Sequence, residues 1–401
     1  MKCSVANILR IFMLAALIVT NALLLVEFIP HADAQSSRAS NISNMTDYAA
    51  PGGDPWGTAF DGSGRLWVAL PGCDLHPACP GSTPPGKIAL FDPSQQSWTT
   101  IVRLPSGYGQ PTFVAVDQNG KVWFTMPVTD NIGMFDPTTG NVSQWTVPTA
   151  SAGPWGIAID SKGTIWFTEH YVNQIASFDP VSQTFHEFAT PNSNSNPYGI
   201  VVDASDNIWF TENSVAVIGE YTNQGVLQEY KIHKSSGSSG LTPHMITIDP
   251  AGNIWWSEGW AGAIGTLDLA AAQPGTNNGI TEYTYSPACH TSGIKADKQG
   301  MIWLDDSCQN TLGSFSVGGS FSFYPTSGHP YDGLNVDTQN RIWYDKEFAN
   351  HITVAIPSGA TPLTVSKQMA TTTSKPAPTS THMPIATMAP TSSKTQSGRK
   401  S

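Results

Sequence analysis

The chain has 401 residues and a formal net charge of −11, yet only 12% of its residues are Asp, Glu, Lys or Arg. Five Lys or Arg and no acid occur from Pro357 onward, which leaves the chain before it at −16. A body of that sign repels phosphate backbones and excludes nucleic-acid binding. The 36 Gly, 30 Pro and 13 Trp suit short strands and tight turns better than helices.

Residues 1–34 read as a signal peptide. Lys2 and Arg10 give a basic start, "IFMLAALIVTNALLLV" is the apolar run, and "ADA" at 32–34 is an A-x-A cleavage signal. The run is short for a full membrane span. An uncleaved anchor is the alternative, and either way the body is expected to be secreted or extracytoplasmic, with no stable span after cleavage. Residues 35–45 read as a linker. Cys3 leaves with the signal, and Cys73, Cys79, Cys289 and Cys308 remain. An even number in an exported chain suggests disulfides.

A repeat then begins. Its copies are "DPWGTAFDGSGRLWVAL" (54–70), "QPTFVAVDQNGKVWFTM" (110–126), "GPWGIAIDSKGTIWFTEH" (153–170) and "NPYGIVVDASDNIWFTEN" (196–213). They continue with "LTPHMITIDPAGNIWWSEG" (241–259), "HTSGIKADKQGMIWLDD" (290–306) and "PYDGLNVDTQNRIWYDK" (330–346). Asp61, Asp117, Asp160, Asp203, Asp249, Asp297 and Asp337 are each followed six residues later by a tryptophan. The copies are 40 to 56 residues apart, a period that indicates a propeller or solenoid. Each contains short β-branched and aromatic runs separated by Gly, Asn, Asp and Ser turns. Four such runs make one blade, so the prediction is all-β: a seven-bladed β-propeller with four antiparallel strands per blade, spanning 46–356. "TDYAAP" (46–51) matches "HEFATP" (186–191), so an N-terminal strand is expected to close the ring in the last blade.

The cysteines fit this register. In blade six Cys289 and Cys308 are numbered to face each other across adjacent antiparallel strands, since both pairs, Asp297 with Gly300 and Cys289 with Cys308, sum to 597. Cys73 and Cys79 staple an insertion in blade one, "PGCDLHPACPGSTPPG". Residues 357–401 are a Thr/Ser/Pro/Lys-rich tail that cannot bury a core and is expected to be disordered. Asn41, Asn44 and Asn141 stand in N-x-[ST] sequons.

In a propeller the start of the first strand and the end of the second lie on one face. The residues five before each repeat aspartate are Trp56, Thr112, Trp155, Tyr198, His244, Ser292 and Asp332. Those three after each tryptophan are Leu70, Met126, Glu169, Glu212, Glu258, Asp306 and Lys346. A channel mouth with aromatics, one His and several carboxylates is a candidate site for a small molecule or peptide on a monomer. Trp56, Trp155, Tyr198, Glu258 and Asp332 are the candidate ligand-binding residues. The bland reading is that Glu169, Glu212 and Glu258 only satisfy groups between blades, and that the tryptophans only pack.

The phrases "PYGIVVDASDNIWFTEN" and "PWGIAIDSKGTIWFTEHYVNQIASF" resemble the streptogramin B lyases, also called virginiamycin B lyases, across all seven repeats. Such seven-bladed propellers carry P-[YH]-G-I and L-W-F-T-E motifs in most blades. They open a cyclic depsipeptide by elimination at the ester, with magnesium and no hydrolytic water. The resemblance therefore implies Mg2+, a base for the α-proton and a cation on the ester. It also implies histidines in P-H-[AG]-I contexts of the last two blades, and a glutamate ending the last blade's second strand. "TPHMI" places His244 as the catalytic histidine, but in blade five. Its partner positions in the next blade hold Ser292 and Ser307. Matched by blade number instead, the last blade offers Asp332 for the histidine and Glu347 as the metal-binding glutamate. Neither alignment recovers the set, so weak or absent elimination is expected. The alternative is a non-catalytic propeller that binds a ligand, glycan or protein. A calcium-dependent lactonase needs several carboxylate and Asn ligands at the channel, which the mixed rim fits poorly.

Overall fold

The invariant six-residue spacing has a hydrogen-bond cause. In blade four, Oδ1 of Asp203 accepts the backbone N–H groups of Ser205 and Asn207 at 2.8 and 2.9 Å, which closes the turn between the first two strands. Its Oδ2 accepts the indole N–H of Trp209 at 3.0 Å. The same indole bond, 2.9 to 3.2 Å long, runs from Trp123, Trp166, Trp255, Trp303 and Trp343 to the aspartate six residues earlier. In blade one Arg65 takes Oδ2 of Asp61 instead, at 2.8 Å. The aspartate thus lets a large ring be buried with its polar atom satisfied. Trp209 packs among Ile246, Ile254 and Trp256 of the next blade, so each indole is mortar between sheets.

The computed structural model describes residues 41–74, 79, 83–232, 242–360 and 362–363. The expected signal segment, most of the linker, part of the insertion and the tail beyond residue 363 lie outside these. The described residues form seven four-stranded antiparallel sheets. Blade three is representative, with strands Pro154–Ile159, Ile165–Glu169, Gln174–Asp179 and Thr184–Ala189 in spatial order.

The last blade takes its outer strand from the N-terminal side. Ile42–Ala49 pairs antiparallel with His351–Pro357, Asp47 opposite Thr353. The strand starts four residues ahead of the expected boundary at 46, because Ile42 and Met45 pack on the core between blades six and seven. The propeller also runs past 356: Pro357 ends a strand, and Ala360 and Leu363 pack on the apolar cluster joining blades seven and one.

Neighbouring blades are laced near the axis. The hydroxyls of Thr125, Thr168, Thr211 and Ser257 donate to the carbonyls of Trp155, Tyr198, His244 and Ser292, at 2.5 to 2.9 Å. This close approach explains the glycine after the aromatic in the first strands. A Cβ on Gly156 would lie 2.3 Å from the carbonyl oxygen of Tyr198, and one on Gly199 2.7 Å from that of His244.

Candidate functional site

The first strands of blades three to six each carry a bulge, with register shifts between Pro154 and Ile157, Pro197 and Ile200, Pro243 and Ile246, and Thr291 and Ile294. Trp155, Tyr198 and His244 stand inside these bulges. Trp56 meets Trp155 edge-on at 6.1 Å, Trp155 lies 5.4 Å from Tyr198, and Tyr198 stacks on His244 at 4.1 Å. Together with Phe113 the three aromatics form a buried cluster near the axis. Trp56, Trp155 and Tyr198, three of the candidate ligand-binding residues, are at most 2% exposed and form a buried plug.

His244 belongs to this plug. Its Nε2 lies 3.1 Å from Oδ1 of Asp332, and both atoms are buried. Its Nδ1 is 3.2 Å from the Asn213 amide nitrogen. The Tyr198 hydroxyl donates to Oδ2 of Asp332 at 2.5 Å. Burial raises the Asp332 carboxyl, but His244, Tyr198 and His290 together hold it below the usual aspartate range. The structure thus joins His244 and Asp332, two candidates 88 positions apart in the chain, as a buried pair.

Glu258 does not reach the rim. It is fully buried, accepts the Trp256 indole N–H at 3.0 Å, and is pushed up to about 8 by burial and by Glu282 on its own fourth strand. Glu169 faces Glu187 and Glu212 faces Glu229 in the same way. In blade six the equivalent Asp306 accepts the backbone N–H groups of Cys289, His290 and Gln309. In blade seven Lys346 donates to Asp47 at 2.6 Å. This repeat position serves the sheets.

Beside the plug a cavity of about 180 Å3 opens over blades five to seven. His290, Ser307, Tyr331 and Glu347 line it, with Asp74 of the blade-one insertion. Glu347, the glutamate singled out by resemblance, is 2% exposed. Burial pushes its carboxyl up to about 8, helped by the charges of Asp74, Asp332 and Asp54. His290 is 8% exposed, and burial together with His244 lowers it to about 3. Its Nδ1 is 3.2 Å from Ser307 Oγ, and that hydroxyl donates to the His290 carbonyl at 3.3 Å.

The sequence reading missed His290 and Asp74. His290 stands two positions before Ser292, where a strict repeat alignment does not look, and the Thr291–Ile294 bulge carries the chain between them. Both expected disulfides are present, with Cα separations of 5.5 Å for Cys73–Cys79 and 5.7 Å for Cys289–Cys308. Strand pairs in blade six sum to 598, and the bulge restores the 597 of Thr291 with Asp306 that brings the cysteines together. Cys289 and Cys308 precede and follow His290 and Ser307, so this bond fixes one wall of the cavity. Among the described residues, the one set of three clustered metal donors is Cys289, Asp306 and Cys308, whose sulfurs are spent in the disulfide.

Comparison with known proteins agrees with this architecture. A streptogramin B lyase structure superposes with a TM-score of 0.67 at 22% identity, covering 78% of this chain and 97% of that one. A catalytically inactive virginiamycin B lyase from Staphylococcus aureus with quinupristin gives 0.67 at 23% identity, covering 78% and 98%. The extracellular domain of a hybrid two-component system from B. thetaiotaomicron gives 0.58 at 18%, covering 76% of this chain and 39% of that one. These likenesses establish the fold. A search of curated proteins found no match. The sequence profile of the Virginiamycin B lyase family matches residues 26–267, more than half of the chain, and the protein belongs to that family.

Proposed function

We propose that the chain is an exported propeller whose cavity over blades five to seven is a carbon–oxygen lyase-type site for a cyclic depsipeptide or related ester. One observation carries this reading: an imidazole, His290, and two carboxyl groups, Glu347 and Asp74, converge on a single cavity from three parts of the ring. Elimination needs an acceptor for the α-proton and positive charge where the carboxylate departs. His290 supplies the imidazole that the serines at 292 and 307 deny. Ser307 gives its proton to the His290 carbonyl, so at Nδ1 it accepts, and Nε2 keeps the lone pair. Burial keeps the ring neutral at ordinary pH. In the step, His290 takes the α-proton, the released electron pair forms the carbon–carbon double bond, and the carbon–oxygen bond breaks to free a carboxylate.

The magnesium implied by the family fits the donor set. Burial first, and then the acids around it, raise Glu347, and a cation would relieve the repulsion part of that shift. Glu347 and Asp74 would hold it, with water completing the shell. Bound there, it would supply positive charge at the ester. His244 and Asp332 then act as the floor on which His290 rests, the two imidazoles being 5.2 Å apart. Export is supported by the two disulfides and the N-terminal signal pattern.

The test is incubation with quinupristin and Mg2+, read by mass spectrometry for a linear product of unchanged mass. Linear product from the wild type, reduced at least about 100-fold in His290→Ala, is expected. Absence of product from the wild type would sink the lyase reading. A second reading, ligand binding without turnover, is favoured by Ser292 and Ser307, which stand where the resemblance implies a histidine and a glutamate.

A further inference from the structure

Among the described residues nine large apolar side chains are substantially exposed, and four of them share one repeat position, five residues after the repeat tryptophan. They are Val128, Tyr171, Trp260 and Phe348, at 53, 54, 65 and 61% exposure. This position lies in the loop between the second and third strands, so all four stand on the cavity's face of the disc. Scattered exposed apolar residues need no explanation, but a ring of them at one register position does. Blades one, four and six place Gly72, Ser214 and Cys308 there.

Two of the four also wall the cavity. Trp260, in the 3-10 turn Gly259–Ala261, leans on His290 with ring centres 4.6 Å apart. Phe348, in the turn Glu347–Ala349, leans on His329 at 5.1 Å. A cavity of about 180 Å3 holds only part of a drug-sized ligand, so the rest must lie on the rim, where these two rings are the apolar surface. With no metal bound, Asp74 and Glu347 between them disfavour an anion.

We propose that Trp260 and Phe348 set ligand specificity by gripping a flat aromatic group of a neutral or cationic ligand whose smaller part enters the cavity. This rests on the cavity being the ligand site, but not on turnover. In the metal-free protein above pH 8, where Glu347 is ionised, a cation beside an aromatic face and the Asp74–Glu347 carboxyl pair is held by both kinds of attraction, whereas a carboxylate meets repulsion.

The experiment uses two fluorescent probes with one ring system and opposite charge, dansylcadaverine and dansylglycine, titrated into the purified protein in EDTA at about pH 9, so that no metal screens Asp74 and Glu347 and Glu347 is ionised. The ammonium probe should bind at least about tenfold more tightly than the carboxylate probe. Trp260→Ala and Phe348→Ala should each weaken it by about tenfold. Val181→Ala, an exposed apolar control on a strand three–four turn of the other face, should leave it unchanged. Unchanged binding in both aromatic variants, tighter binding of the carboxylate, or no binding of either probe up to millimolar concentration overturns the proposal. So does sedimentation showing a dimer that the two aromatic variants dissolve, which would assign the ring to self-association. Loss of lyase activity alone leaves these titrations untouched, so the two ideas fail separately.

Discussion

Asp203 shows how much one side chain can hold. Its carboxylate accepts two backbone N–H groups, the Asn207 amide and the Trp209 indole, all within 3.0 Å. Asp203→Ala leaves these donors without their partner at a buried tryptophan, and should cost about 2–4 kcal/mol. Asp203→Asn keeps one acceptor oxygen and should cost less. Chemical denaturation of both variants measures this, and equal midpoints for the two would show that the indole bond contributes little. The spacing of Asp and Trp was fully legible in the sequence, but its cause was not, since packing alone would tolerate other spacings. The candidate site was legible only in part. Glu347 came from resemblance and does line the cavity, whereas His244, the most conspicuous histidine, is buried against Asp332. His290 was hidden because a bulge shifts which residue reaches the rim, and a period-two reading has no means of placing a bulge.

At the scale of the strand, the second strands of blades three, four and five each end in a buried glutamate facing another on the fourth strand. Sequence alternation puts both residues in strands, but cannot show that they share one gap. Burial and the facing acid raise Glu169, Glu212 and Glu258 to about 8. The folded state therefore binds more protons than the unfolded chain between pH 4.5 and 8, so stability falls as pH climbs through that window. Each group contributes up to about 1.4 kcal/mol per pH unit. His290 acts in the opposite sense below pH 6.5, because its lowered value makes the unfolded chain the better proton binder there. Above pH 6.5 the histidine is silent, and Glu347, also raised to about 8, adds the same slope to the wild type and to a variant of the other three. Replacing all three with Gln should flatten the fall of melting temperature over this range. Parallel pH profiles for the triple variant and the wild type would show that the pairs do not hold protons. In blade seven the same slot holds Lys346 with Asp47, an ion pair that opposes no charge and should not contribute to this fall.

At the scale of the molecule, a ring is stable only if its last sheet is completed, because an open blade exposes a row of unpaired backbone groups. Ile42–Ala49 does more than pair. Tyr48 packs on both Phe91 of blade one and Trp343 of blade seven, and the Trp98 indole N–H of blade one donates to the Ala49 carbonyl at 2.7 Å. Asp47 accepts from Lys346 and Thr353, which ties the strand to its own blade. The C-terminal side contributes less: Leu363 touches the same cluster, while residues beyond it are dominated by Thr, Ser and Pro. Removing residues 1–49 should therefore destabilise the whole propeller, by about 3–6 kcal/mol from the partly buried Ile42, Met45 and Tyr48 alone, with the lost ladder in addition. Ending the chain after residue 363 should leave the melting curve unchanged. Ending it after residue 357 should cost about 1–2 kcal/mol, because Ala360 and Leu363 then leave the joint between the first and last blades. Calorimetry on the three truncations separates these effects. If removal of residues 1–49 melts like the wild type, the ring closes through side-chain packing between blades, and the closing strand is an ornament on its edge.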